Sequence, residues 1–260
     1  MIISRIIPDN SAAYKSISNL SKKLDGFIHL KPYHWFAIWV LMASGTSSQQ
    51  GLVNRYSFWS MSHAAEGLIT LLIVTMVAAI LLKNDHISFN NLSMNPFTLI
   101  NHLVLPFFIF LTGWGWINGN YFLAAKSFSP YLLAYISILL MYQINIDKIP
   151  EAGYRLGKGT VAFSLLLALA SSLLGIIFGD PVISTASIVY APFLAVAIVF
   201  PAHKRHIQRL RIYPIFIYAM FVSVRVPWLL IPLAILFFGL RTYNYFRYHI
   251  VFPTFSVDND

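Results

Sequence analysis

Cysteine is absent from all 260 residues. Disulfides, thiolate metal sites and c-type haem attachment are therefore excluded, although nothing follows about redox compartment. Charge is almost as scarce. Asp, Glu, Lys and Arg make up 10% of the chain, against roughly 25% in a soluble domain. A chain that cannot cover itself with charge points to lipid as its solvent. No 20–50-residue repeat and no low-complexity stretch is visible. No cleavable leader is expected either: residues 1–7 are apolar but few, and Asp9 and Asn10 follow them, which fits insertion through the first span. Acids are half as many as bases, leaving a net charge of +9. That excess can indicate a nucleic-acid partner. In so apolar a chain it is better explained by basic loops facing the cytoplasm and anionic lipid, so no nucleic acid is expected.

What is present is apolar: 58% of residues are hydrophobic and 16% aromatic. A bilayer-spanning helix needs about 20 such residues. Apolar runs and their breakers predict an all-α integral membrane protein of about eight transmembrane helices, near 34–53, 62–82, 96–117, 129–144, 160–178, 182–200, 212–226 and 228–245. Residues 1–32 form a cytoplasmic segment with room for an amphipathic helix at the interface. Residues 33–250 form the bundle, and 251–260 a short cytoplasmic tail.

Orientation follows from the distribution of Lys and Arg. With the N-terminus inside, 15 of the 18 fall on the cytoplasmic side, and only Arg55, Lys126 and Arg225 on the other. This bias predicts both termini in the cytoplasm of a cell with an inner membrane, and an even number of spans. Trp35, Trp59, Trp114, Trp116 and Trp228 fall near predicted span ends, where an aromatic belt is expected. The run 241–255 alternates basic and aromatic residues. RNA stacking is one reading of it, and anchoring at the cytoplasmic leaflet is the reading that composition favours.

Few polar residues remain inside the spans. Glu66 and Arg225 both fall toward the non-cytoplasmic side, and intramembrane charges tend to pair, so a Glu66–Arg225 contact is expected. His102, next to Asn101, either ligates a pigment or bonds a neighbouring carbonyl. His203 and His206 can share a helical face, but no acid lies near them. The sequence Gly113-Trp114-Gly115-Trp116 reads as a turn with interfacial tryptophans. The aromatic residues either line an isoprenoid or pigment cavity or pack between helices.

Two predicted cytoplasmic loops concentrate polar chemistry. Residues 83–96 carry Asn84-Asp85 and end in Asn95-Pro96. Residues 145–160 contain Asp147-Lys148-Ile149-Pro150-Glu151, then Arg155 and Gly157-Lys158-Gly159-Thr160. Carboxylates at the mouth of a bundle can bind Mg²⁺ together with substrate phosphate. Basic neighbours suit a diphosphate. Two solvated loops that set topology would look the same by spacing alone.

In their order between apolar spans, these loops resemble the two signatures of the UbiA superfamily of intramembrane prenyltransferases. Lys31-Pro32-Tyr33-His34-Trp35 is similar to that family's entry into its first helix. The resemblance covers the first two spans, both loops and the three spans after them. It implies a UbiA-like bundle around a central cavity. Asp85, Asp147 and Glu151 would then hold Mg²⁺, and Lys148, Arg155 and Lys158 the diphosphate of an isoprenoid. The pattern is incomplete. Three acids stand where a full site has about six, and two spans separate the motifs instead of four. Metal binding depends on ligand charge and number, so the loss weakens it.

Three functional readings follow. The first is a prenyltransferase acting on an isoprenoid diphosphate. The second is a non-catalytic bundle that binds lipid, quinone or pigment as an accessory subunit of a respiratory or photosynthetic membrane complex. The third is a small transporter, for which polar midplane residues are too few.

Overall fold

The computed structural model describes residues 2–24, 32–83, 96–115, 120–144, 157–201 and 204–251. Among them every regular element is helical: α1 Ile2–Ile6, α2 Ala12–Leu24, α3 Pro32–Val53, α4 Ala64–Lys83, α5 Pro96–Trp114, α6 Tyr121–Tyr142, α7 Lys158–Ile177, α8 Pro181–Val199, α9 Lys204–Arg225, a 3₁₀ turn Pro227–Leu229, and α10 Leu230–Tyr248. Among the described residues five helices are long and apolar enough to cross a membrane: Tyr121–Tyr142, Lys158–Ile177, Pro181–Val199, His206–Arg225 and Pro227–Tyr248. Ala64–Ile80 and Ile100–Trp114 are shorter apolar helices. The chain is an all-α, membrane-embedded protein.

Two boundaries differ from expectation. Helix α6 starts at Tyr121 rather than near 129, because Asn120 caps it: its side chain accepts the Leu123 N–H at 3.0 Å. Helix α9 starts at Lys204 rather than near 212. Its first two turns are basic, so hydropathy hides them although the backbone is continuous.

The chain divides into two compact units, residues 33–229 and residues 1–32 with 230–260. In the larger unit, small residues set the spacing of helices. Lipid supplies no hydrophobic drive between helices, so close packing and interhelical hydrogen bonds must hold them. Between α6 and α7, Ser137 and Ser164 approach to 2.7 Å through their hydroxyls, and each reaches the other's carbonyl at 2.8 Å. Ser171 of α7 reaches the Pro130 carbonyl at 2.7 Å and the Ser187 hydroxyl of α8 at 2.8 Å. Ser172 donates to the Ser184 carbonyl at 2.9 Å. Trp39 of α3 donates to Thr75 of α4 at 2.8 Å.

Prolines inside helices are tolerated because side chains serve the carbonyls they free. Pro130 cannot donate to the Lys126 carbonyl, and the Ser129 hydroxyl does so at 2.8 Å. Pro214 likewise frees the Leu210 carbonyl, which accepts the Tyr190 hydroxyl of α8 at 3.3 Å.

At the turn expected at 113–116, residues 113–115 are a helix end, and Trp116 lies outside the described residues. Gly113 and Trp114 close α5, and Gly115 follows at φ 93°, the left-handed terminator that favours glycine. Trp114 is buried against Phe110, and Trp228 is wholly buried over Gly67. These two tryptophans are core rather than belt. Phe110 also meets Phe128 and Tyr131 of α6, with ring centroids at 5.1 and 5.5 Å. Much of the aromatic content is thus inter-helix packing.

The smaller unit joins the chain ends. Tyr14 of α2 sits against Tyr245 and Phe246 of α10, each ring centroid at 5.3 Å. Its hydroxyl donates to the carbonyls of Tyr245 at 3.0 Å and Phe246 at 3.3 Å. In return the Tyr245 hydroxyl donates to the Ile7 carbonyl at 2.7 Å. Burial, and then the neighbouring Tyr245 and Asp9, push the Tyr14 phenol above its ordinary pKa and keep it a donor. Residues Tyr245 and Phe246, read from sequence as part of an anchoring run, are the buried seat of the N-terminal helices.

Candidate functional site

Two features of the larger unit combine cavity and polar chemistry. The first is a half-enclosed cleft between α3, α6 and α9. It is lined by Ala37, Val40, Leu41 and Ser44 of α3, by Tyr131, Ala134, Tyr135, Ile138, Leu139 and Tyr142 of α6, and by Ile215 and Tyr218 of α9. Four tyrosines and a serine would ordinarily make a polar wall. Here each hydroxyl is engaged with protein. Tyr131 donates to Asp180 at 2.7 Å, Tyr142 to the Arg211 carbonyl at 2.8 Å, and Ser44 to the Val40 carbonyl at 2.7 Å. Tyr218 pairs with Ser187 at 2.9 Å and Tyr135 with His102 at 3.1 Å. The surface left to the cleft is aromatic and aliphatic carbon. Its volume is about 80 Å³, less than the ~150 Å³ cavity that admits benzene.

At one end of the cleft, Arg211 closes the C-terminus of α6. Its guanidinium donates to the carbonyls of Met141 at 3.1 Å, Tyr142 at 3.2 Å and Ile144. A cation there satisfies orphan carbonyls and opposes the helix dipole. The chain leaves α6 at this end toward residues 145–156.

The second feature lies at the other end of α3, α6 and α9, around a buried ion pair. Arg225 is fully buried at the last residue of α9. It donates to Asp180 Oδ1 at 3.4 Å, to the Ser47 carbonyl of α3 at 3.0 Å and to the Arg55 carbonyl at 2.9 Å. Its guanidinium carbon lies 5.4 Å from the Phe58 ring centroid. Gly51 leaves the space the guanidinium occupies, since a Cβ there would collide with Nη1. Asp180 follows Gly179, at φ 73°, and precedes Pro181. It caps α8 by accepting the Val182 N–H at 3.1 Å, while Oδ2 takes the Tyr131 hydroxyl. A pocket of about 20 Å³ beside Asp180 has room for about one water.

No family model, curated protein or solved structure matches this chain. Its site is therefore read from geometry.

Several expectations change. Arg225 pairs with Asp180, not with Glu66. Glu66 is exposed in the first turn of α4 and bonds His63 at 3.1 Å, not Arg225. The signal for Asp180 was present as Gly179-Asp180-Pro181, an N-cap followed by proline at the first helical position. His102 Nδ1 meets the Tyr135 hydroxyl at 3.1 Å. His206 packs on Phe200 with centroids 5.9 Å apart, and His203 lies outside the described residues. Among the described residues no three His, Cys, Asp or Glu side chains cluster as metal ligands. Asp85, Asp147, Lys148, Glu151 and Arg155 lie outside the described residues. Lys158 is the first residue of α7 and is exposed.

Proposed function

We propose that the chain is a UbiA-like bundle of eight spans that holds the hydrocarbon chain of an isoprenoid or related lipid in the cleft between α3, α6 and α9. The observation that carries this reading is the wall of the cleft. Every tyrosine hydroxyl lining it is satisfied elsewhere in the protein, so a polar ligand gains nothing there and an apolar chain gains contact area. The eight-span count is supported by helices at all eight expected positions. The seat of α2 on the C-terminal end of α10 supports an even number of spans, with α2 and that end of α10 on one side. The excess of Lys and Arg supports assigning that side to the cytoplasm of an inner membrane.

Asp85 of the α4–α5 connection and Asp147 and Glu151 of the α6–α7 connection would hold Mg²⁺, and Lys148, Arg155 and Lys158 a diphosphate. An accessory role without catalysis has an observation of its own. A cleft of about 80 Å³ takes part of one chain, not a prenyl donor with a second substrate. In that reading the protein binds lipid, quinone or pigment beside other subunits of a membrane complex.

Organic extraction of the purified chain followed by mass spectrometry tests the lipid reading. An isoprenoid or similar long-chain lipid is expected to copurify. Ala134→Phe, which fills the cleft at a cost of about 1–3 kcal/mol, is expected to lose it. Equal recovery from both proteins would sink the proposal. Titration with farnesyl diphosphate separates the two functional readings. Mg²⁺-dependent binding that Asp85→Ala and Asp147→Ala abolish supports the transferase. Binding indifferent to Mg²⁺ and to both substitutions supports the accessory role.

A further inference from the structure

The smaller unit carries six described bases, Arg5, Lys15, Lys22, Lys23, Arg241 and Arg247, against one described acid, Asp9. Their placement is not scattered. On α2, Tyr14, Ile17 and Ser21 share the face that meets α10. Lys15 and Lys22, seven residues apart, share a different face, with Lys23 beside them. All three lysines are exposed.

Apolar side chains flank these bases on the open surface. Ile6 is 71% exposed and Leu20 58% exposed. Bases beside exposed aliphatics on a short helix are the pattern of a segment lying in a headgroup layer. The seat of α2 accords with that placement. It is the end of α10, a helix long and apolar enough to cross the membrane. Arg241 lies one turn before Tyr245 on the same helical face, and its Nε is buried with no acceptor among the described residues.

We infer that α1, α2 and the C-terminal end of α10 together form a binding site for the phosphate headgroup of an anionic phospholipid. Tyr14 and Tyr245 build the site by locking the N-terminal helices, which carry Lys15, Lys22 and Lys23, onto the end of α10 that carries Arg241 and Arg247. The ligand is a phosphodiester carrying net negative charge. A zwitterionic lipid of the same chain length brings its own ammonium and repels the bases.

The test uses the full purified chain in zwitterionic detergent. It is titrated with dioleoyl phosphatidylglycerol or dioleoyl phosphatidylcholine, and bound lipid is counted by native mass spectrometry. Wild type is expected to retain phosphatidylglycerol at least tenfold more tightly than phosphatidylcholine, since each base near an anionic headgroup contributes about fivefold. That preference is expected to fall as salt is raised. The Lys15→Gln/Lys22→Gln/Lys23→Gln variant is expected to lose most of the preference while keeping its melting temperature in detergent alone, because these side chains are exposed. Tyr14→Ala keeps all six bases but breaks the lock, and is expected to lose the preference as well. Equal retention of the two lipids by wild type overturns the proposal. So does a triple variant that still discriminates. A Tyr14→Ala variant that still discriminates overturns the composite site.

Discussion

Replacing Arg225 by methionine is expected to cost about 3–5 kcal/mol, the range for removing one partner of a buried ion pair. The cost arises from what is left behind. Asp180 is buried, with Oδ1 facing the vacated guanidinium. The carbonyls of Ser47 and Arg55 also lose their donor, and an unsatisfied buried polar group costs about 1–3 kcal/mol. These groups belong to α3, to the 54–63 connection and to the cap of α8, so one substitution loosens three elements. Thermal unfolding in detergent reads the effect, and the apparent melting temperature is expected to fall by roughly 10 °C. Asp180→Ala is expected to act similarly, because it strands Arg225 and removes both the α8 cap and the acceptor of Tyr131. The double replacement Asp180→Leu/Arg225→Met is expected to recover much of the loss, since it leaves no uncompensated charge. If Arg225→Met melts with wild type, the pair is not a structural tie. Glu66→Gln is the contrasting substitution. Its carboxylate is exposed, and little change is expected.

The crossing of α3 and α5 is expected to be the next most sensitive place. A Cβ on Gly113 would run into the Met42 carbonyl, and one on Gly45 into the Phe110 carbonyl, with the Trp114 backbone nitrogen close behind. The obstructing atoms are backbone, so no rotamer change relieves the clash and the helices themselves must separate. Separation also stretches the bond from the Thr46 hydroxyl to the Gly113 carbonyl, which is 2.9 Å long. Each Gly→Ala change is expected to destabilise by about 1–3 kcal/mol, and the two together by less than the sum, because the first already parts the helices. Gly239→Ala in α10 is the control. No described residue lies within 4 Å of its added Cβ, and relief of the helical penalty of glycine favours it by about 0.8–1 kcal/mol. Opposite signs at Gly113 and Gly239 are expected. A loss of stability at both would mean that helix packing is not what Gly113 serves.

These two predictions also mark where sequence reasoning stopped. Arg225 was legible as an intramembrane charge needing a partner, but its partner was not. Glu66 was chosen because it lies in an apolar run, yet it stands in the first turn of α4 among exposed residues. Asp180 sits between two runs, where spacing alone suggests a solvated turn. Only packing of the α7–α8 turn against the ends of α3 and α9 makes that turn dry. The glycines of the crossing were equally silent, since a glycine in a helix reads as a weakness until the neighbouring backbone is located.

The sequence by itself indicated an apolar, membrane-embedded and all-helical chain. Lipid solvation acts on each segment separately, so the scarcity of charge and the length of each apolar run are sufficient for those conclusions. It also marked two loops by the acids they contain. Tertiary structure alone decided which polar groups meet. It turned the tyrosine hydroxyls of α6 and α9 away from the cleft and toward Asp180, His102, Ser187 and the Arg211 carbonyl, and it seated α2 on the last turn of α10. Those outcomes depend on helix rotation and on contacts between residues up to 232 positions apart. Within a bilayer every helix satisfies its own backbone. Helix choice is therefore local, while the partners of the few polar side chains are fixed only when the helices come together.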